Sequence, residues 1–288
     1  MAAKLSHQLF GAILVLFVLN PFVTKSRPLK FESFEDLENV RINKVKQFLR
    51  AYGYYPGEAD TSDDRFEFDD ALESALKAYQ EFYSLDVTGE IDSNTIKAMS
   101  TPRCGVPDIN LQQTSNYVLN PGRRKWDKFD LTYNYLSNSS QVADLDQLKQ
   151  AIAGAFATWR NYSKFRFSEE TTQGAAADIG IGFFRRDHGD GSPFDGPADP
   201  SRLRNVLAHA AYPGFPYMFL HFDADENWSV YPTSRSDTDT ETVALHEIGH
   251  NLGLAHSREK TAVMFPDYNG TRRTLDPDDI AGLTELYK

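Results

Sequence analysis

A chain of 288 residues with 41% hydrophobic and 25% charged side chains can bury one large core or two modest ones, which argues against wholesale disorder. Its net charge of −11 argues against a nucleic-acid partner, since phosphate backbones are bound through surplus Lys and Arg. The same charge is compatible with hard-cation sites, and the single cysteine excludes an internal disulfide.

In chain order, the first feature is a leader. Lys4 precedes an almost unbroken apolar run from Leu9 to Leu19, closed by Asn20-Pro21. That run falls short of the about 20 residues a membrane span requires, and it reads as a secretory signal over residues 1–26, cut near Thr24-Lys25-Ser26. No later stretch is apolar enough to span, and the end at Glu285-Leu286-Tyr287-Lys288 lacks a lipid-anchor tail. The mature protein is therefore expected to be secreted, without a transmembrane anchor, into the extracellular space or matrix. Export would make Asn138, Asn161, Asn227 and Asn269 candidate glycosylation sites, since each opens an Asn-x-Ser/Thr sequon. It also makes the lone thiol, Cys104, a residue in need of an explanation.

A small helical unit follows, placed at residues 27–100. Val40, Val45, Phe48 and Leu49 recur at helical spacing, as do Ala71, Leu72, Ala75, Leu76, Ala78 and Tyr79. Between them runs an acidic, turn-rich stretch from Gly57 to Asp64, read as solvated surface. Asp92-Ser93 offers an N-cap for a third short helix through Met99. A linker rich in Pro, Gly, Asn and Gln comes next; its core is placed at residues 101–116 and carries Cys104.

The remaining unit, placed at residues 117–288, changes character. Strands are expected at Leu131–Tyr135, Phe165–Phe167, Ile179–Phe184, Val206–Tyr212 and Tyr217–Phe222. Helices are expected at Leu145–Trp159, at about Thr240–Leu254, and from Pro277 with Asp276 as N-cap. The mixture is an α+β domain. Arg123-Arg124-Lys125 reads as a charged surface turn rather than a cleavage site.

The chemistry concentrates in histidines, six of which lie beyond the leader. His246 and His250 are four apart on an expected helix, about 40° apart around its axis, so both imidazoles point one way. Gly253 lets the chain leave the helix, and His256 can return as a third nitrogen. Three protein ligands leave the fourth tetrahedral position to water, the mark of a catalytic zinc. The metal would lower the pKa of that water to about 7, with Glu247 as the general base that takes its proton. The extended His246-to-His256 pattern, with Met264 eight residues on, is the metzincin signature with its Met-turn.

Cys104 sits in Pro102-Arg103-Cys104-Gly105-Val106-Pro107-Asp108, in a linker able to reach the open coordination position. A thiolate binds zinc better than water does, so this sulfur would keep the enzyme latent until the linker is cut or the thiol modified. A second set, His188, Asp190, His209 and His221, offers three nitrogens and one carboxylate, a closed set suited to structural zinc.

With Ser257 after the third histidine, the chain resembles the matrixins, the matrix metalloproteinases. The match covers everything beyond the leader and is most like the short plant forms, without a haemopexin-like domain. The resemblance implies a metzincin catalytic domain, a mixed twisted sheet with three helices, preceded by a small all-α peptidoglycan-binding-like prodomain. Pro102 to Asp108 is similar to the family's cysteine switch, which suggests a mature start within Leu111 to Leu119. The second histidine set falls where the family places its structural zinc. Asp195, Gly196, Asp223 and Glu226 resemble its calcium site. Two departures stand out there. Thirteen residues separate Asp195 from His209, longer than usual. The glycine-rich stretch before the last histidine is replaced by Tyr217-Met218-Phe219-Leu220, which puts a second calcium at Asp178 in doubt. Pro266-Asp267-Tyr268 resembles the wall of the family's pocket for the side chain after the scissile bond, implying an apolar preference.

The resulting expectation is a secreted, monomeric zinc endopeptidase, made latent, acting on extracellular matrix or cell-surface proteins after an activating protease. One rival is a catalytically inert matrix- or glycan-binding protein using the prodomain, which predicts a broken ligand or base. The other is an astacin-like or adamalysin-like protease, which would have a disulfide-rich catalytic domain.

Overall fold

A computed structural model describes residues 34–55, 67–109, 119–136, 142, 144–172, 174–215 and 217–288. The leader, the acidic stretch at 57–64, the suggested mature start at 111–118 and Asn138 lie outside them. Among the described residues no helix is long and apolar enough to cross a membrane.

The N-terminal unit is three helices: α1 (Phe34–Ala51), α2 (Asp70–Phe82) and α3 (Ser93–Met99). Asp69 caps α2 and Asp92 caps α3, each accepting from a backbone N–H in the first turn. Their apolar faces close on a core of Val45, Phe48, Leu49, Tyr52, Leu72, Leu76, Tyr79, Phe82 and Met99. Phe265 from the C-terminal unit packs into the same cluster, so the two units share a buried boundary. Lys46 is almost wholly buried there, with its Nζ 2.7 Å from Asp69.

Beyond it, a six-stranded sheet has the order β1-β5-β6-β4-β2-β3. The strands are β1 (Pro102–Cys104), β2 (Asp130–Tyr135), β3 (Arg166–Glu169), β4 (Ile179–Phe184), β5 (Asn205–Ala210) and β6 (Met218–Asp223). All neighbours run parallel except β5 and β6. A small parallel pair, β7 (Trp228–Ser229) and β8 (Thr238–Asp239), leads into α5 (Thr240–Asn251). Two further helices are α4 (Leu145–Asn161) and α6 (Pro277–Leu286), the latter closed by a capping box on Asp276 and Asp279. Ile152, Phe156 and Trp159 of α4 bury against Ile181, Phe183, Leu220 and Phe222 of the sheet and Leu245 and Ile248 of α5. The α+β expectation, with three helices against a mixed sheet, describes this layer.

One expectation needs correction, and the linker gains an element: Pro102–Cys104 is an edge strand of the sheet, parallel to β5. The zinc helix ends earlier than expected, at Asn251. Gly253 has φ +103°, a conformation only glycine adopts without strain, and a Cβ there would press on Leu286 and on the Arg124 carbonyl.

Candidate active site and second metal cluster

Helix α5 starts on Asp239, whose carboxylate accepts from the Thr242 N–H, and is buried along almost its whole length. It presents His246 and His250 from adjacent turns, and the break at Gly253 brings His256 back against them. The three Nε2 atoms lie 3.1, 3.2 and 3.2 Å apart. A fourth donor, Cys104 Sγ, lies 3.5 Å from His250 Nε2. With metal–ligand distances of about 2.0–2.3 Å, a tetrahedral zinc needs ligand separations near 3.3–3.7 Å, so the N₃S set fits that ion.

Each imidazole is oriented from behind. Nδ1 of His246 is 2.7 Å from the Val263 carbonyl, and Nδ1 of His250 is 2.8 Å from that of Leu254. Donation from Nδ1 leaves the Nε2 lone pair free to face the metal. Burial pushes all three histidines below their usual range, which favours the neutral, ligating form. The same burial raises Glu247 to about 8 and pushes the Cys104 thiol well up; a divalent cation at the nitrogens acts in the opposite sense. Both Glu247 carboxylate oxygens are buried without a hydrogen-bond partner in the protein, an arrangement that calls for a proton or a bound water.

Met264 lies under the site, its sulfur against Gly249, where any Cβ would collide with it. Asp279 of α6 holds that turn by accepting from the N–H groups of Val263 and Met264 at 2.8 and 3.0 Å. Beside His246 and Glu247 opens a cavity lined by Leu207, Val243, Val263, Tyr268 and Arg272.

The switch segment is held by more than its sulfur. The N–H of Cys104 donates to the Pro266 carbonyl at 3.0 Å, that of Gly105 to Ala208 at 2.8 Å, and that of Tyr268 to Pro102 at 2.8 Å. Arg103 is fully buried, stacked 3.4 Å from the Tyr52 ring centroid and ion-paired with Asp108. Asp108 also accepts from Tyr54 at 2.9 Å and contacts His256 Nδ1 at 2.8 Å. This Arg103–Asp108–His256 chain is the functional feature that sequence reading missed. Its only signal was a pair of opposite charges flanking the cysteine, and their shared burial could not be read from spacing.

The second histidine set also converges. Asp190 Oδ2 lies 2.8 Å from His188 Nε2, 2.8 Å from His209 Nε2 and 2.9 Å from His221 Nδ1. His209 and His221 face each other in the β5–β6 register, while His188 and Asp190 come from the loop after β4. Burial lowers His209 and takes His221 to about 4, so both are neutral donors at ordinary pH. Three nitrogens and one carboxylate oxygen fit a closed zinc site.

The expected calcium set does not close in the same way. Asp195 Oδ2 and Glu226 Oε1 are buried and unpartnered, which suits a cation. The Gly196 carbonyl, however, accepts from Arg202, and Asp223 Oδ2 accepts from the Gly196 N–H at 3.0 Å. The set therefore fits calcium on its carboxylate side only. Asp178 accepts from Lys128 at 2.5 Å and from the N–H of Thr132 at 2.8 Å. Of the sequons, Asn161, Asn227 and Asn269 are exposed.

An α+β layer that lays a His-Glu-x-x-His helix beside a sheet edge, with a third histidine and a methionine turn, defines a zinc metalloendopeptidase. Residues 125–288 match the matrixin family and residues 38–99 a putative peptidoglycan binding domain. The chain is 35% identical to Metalloendoproteinase 5-MMP of Arabidopsis thaliana over 97% of its own length and 86% of that protein. It is 38% identical to Metalloendoproteinase 1 of Glycine max, covering 90% of this chain and 86% of that one. Human neutrophil collagenase is 39% identical over 74% of this chain and 43% of its own. The chain belongs to the matrixins, and its substrates are proteins.

Proposed function

We propose that the protein is a secreted matrixin zymogen that hydrolyses extracellular matrix or cell-surface proteins once its N-terminal unit is displaced. The observation that carries this reading is the convergence of Cys104 on the three histidines, with Glu247 unpartnered beside them. His246, His250 and His256 would hold the catalytic zinc, and His188, Asp190, His209 and His221 a structural one. When bound, the catalytic zinc polarises the substrate carbonyl and acidifies water. Glu247 accepts the proton of the attacking water and returns it to the departing amine, so that peptide and water become acid and amine. The cavity beside His246 takes the side chain next to the scissile bond, and its Leu207, Val243 and Val263 lining favours an apolar one.

Latency follows from two overlapping blocks. Cys104 sulfur fills the position a water needs, and the segment from Pro102 to Gly105 uses backbone groups of Ala208, Pro266 and Tyr268 that a substrate strand would need. The domain division then reads as signal 1–26, prodomain 27–100, switch linker 101–116 and catalytic domain 117–288. The rival of an inert binding protein predicts a broken ligand or base, whereas all three histidines and Glu247 are in place.

The test is a peptide-library digest with the full chain before and after proteolysis in 110–118, with and without a chelator. Cleavage only after proteolysis, abolished by the chelator and restored by zinc, is expected. Full activity before proteolysis overturns the latency, and chelator-resistant activity overturns the zinc chemistry.

A further inference from the structure

We propose that Arg202, carried by the long 196–204 loop, is the resident cation of the turn at Asp195–Pro197 and holds it without calcium. Its guanidinium donates from Nη1 to the Asp195 carbonyl at 2.6 Å, and from Nη2 to the carbonyls of Gly196 at 3.1 Å and Pro197 at 2.7 Å. Arg186 adds a second donation to the Asp195 carbonyl at 2.5 Å. Three successive carbonyls thus turn toward one planar fork. A hard cation gathers backbone oxygens in the same way, but calcium needs six to eight of them within about 2.3–2.6 Å.

The two arrangements exclude each other. Calcium drawn to the Gly196 carbonyl would meet the guanidinium already donating there, and like-charge repulsion opposes holding both. Arg202 is braced from behind by Asn205 Oδ1, 3.2 Å from Nη2. Its Nε also lies 3.8 Å from Asp195 Oδ2, the oxygen of that carboxylate that accepts no hydrogen bond, while Oδ1 accepts from the Val206 N–H at 3.1 Å.

The loop that brings Arg202 also meets the N-terminal unit. Leu203 packs against the prodomain core, Arg204 N–H donates to the Met99 carbonyl at 3.0 Å, and Asn205 Nδ2 to that of Ser100 at 2.8 Å. Arg204 takes a left-handed φ of +66°, which a non-glycine residue adopts only when neighbouring contacts impose it. An arginine on the same loop can therefore fix both the turn and the seat of the prodomain.

The test uses the full, zinc-loaded chain, with thermal unfolding and equilibrium dialysis against calcium, in calcium-free buffer without chelator and in millimolar calcium. Wild type is expected to melt at the same temperature in both conditions. Arg202→Ala is expected to lose about 3 °C or more without calcium, to recover it in calcium and to bind one more calcium per chain than wild type. Arg202→Lys, which keeps the charge without the fork, should fall between them. A saturable rise in wild-type melting with calcium, removed by Asp195→Asn, overturns the proposal. So does an Arg202→Ala variant that melts like wild type without calcium. If Arg202→Ala fails to fold, wild type with Asp195→Asn still decides.

Discussion

The two histidine clusters of this chain use nearly the same donors and differ in where the fourth one comes from. In the second cluster, Asp190 lies two residues from His188 in one loop, so the site is closed by local chain. In the first, Cys104 reaches His250 from 146 residues away, on the edge strand β1. Both sets offer four donors; under the proposed function only the fourth donor of the first could be removed without unfolding the domain. The positions behind the histidines differ as well. His246 and His250 lean on carbonyls of the C-terminal unit, whereas His256 leans on Asp108, in the same segment as Cys104. Under the proposed latency, displacing that segment would open a coordination position and remove the partner of one histidine nitrogen at once.

The largest break in the comparison should come from the base. Glu247→Ala is expected to lower kcat/KM of the activated enzyme by about 10³-fold, the scale of a general base, with zinc content by mass spectrometry unchanged. The second cluster has no counterpart to Glu247. Retained cleavage in that variant would place the base elsewhere.

Much of this asymmetry could be read in the sequence. Four-residue spacing on a helix fixes His246 and His250 to one face, and Gly253 announces the turn that returns His256. Both are local rules that hold wherever the helix packs. The register pairing His209 with His221 was less legible, since strand partners are set by the core; there only the residue types pointed to a set. The Arg103–Asp108–His256 chain and the arginine-filled turn at Asp195 were not legible. The first depends on contacts between the two units and the second on the path of a long loop, and neither charge pattern distinguishes a buried pair from a solvated one. The strand inside the linker was not legible for a related reason: its backbone pairing is with distant chain.

Asp190→Ala sharpens the comparison from the other side. It should reduce the zinc content of the activated enzyme from two ions to one and lower its melting temperature by roughly 5 °C or more. Cleavage per remaining zinc should persist. If two ions stay bound, the carboxylate is not a ligand; if cleavage disappears while the fold holds, the second cluster is not merely structural. A smaller effect probes the floor of the first cluster. Gly249→Ala drives a Cβ into the Met264 sulfur and should cost about 2 kcal/mol, read as a lower urea midpoint at unchanged slope. A midpoint equal to wild type would mean that Met264 can yield and that the methionine turn is not a rigid support.

The smallest effect bears most directly on the difference between the clusters. Cys104→Ser removes the sulfur but leaves Arg103, Asp108 and the backbone pairing to Ala208 and Pro266 in place. If sulfur and strand share the masking, the uncleaved variant should gain activity of about tenfold over wild type, ~1.4 kcal/mol, yet stay well below the cleaved enzyme. Activity equal to the cleaved enzyme would assign the whole block to the thiol and make the strand incidental. A variant as silent as wild type would assign it to the strand. The first cluster would then be closed by chain, as the second is, rather than by its fourth ligand.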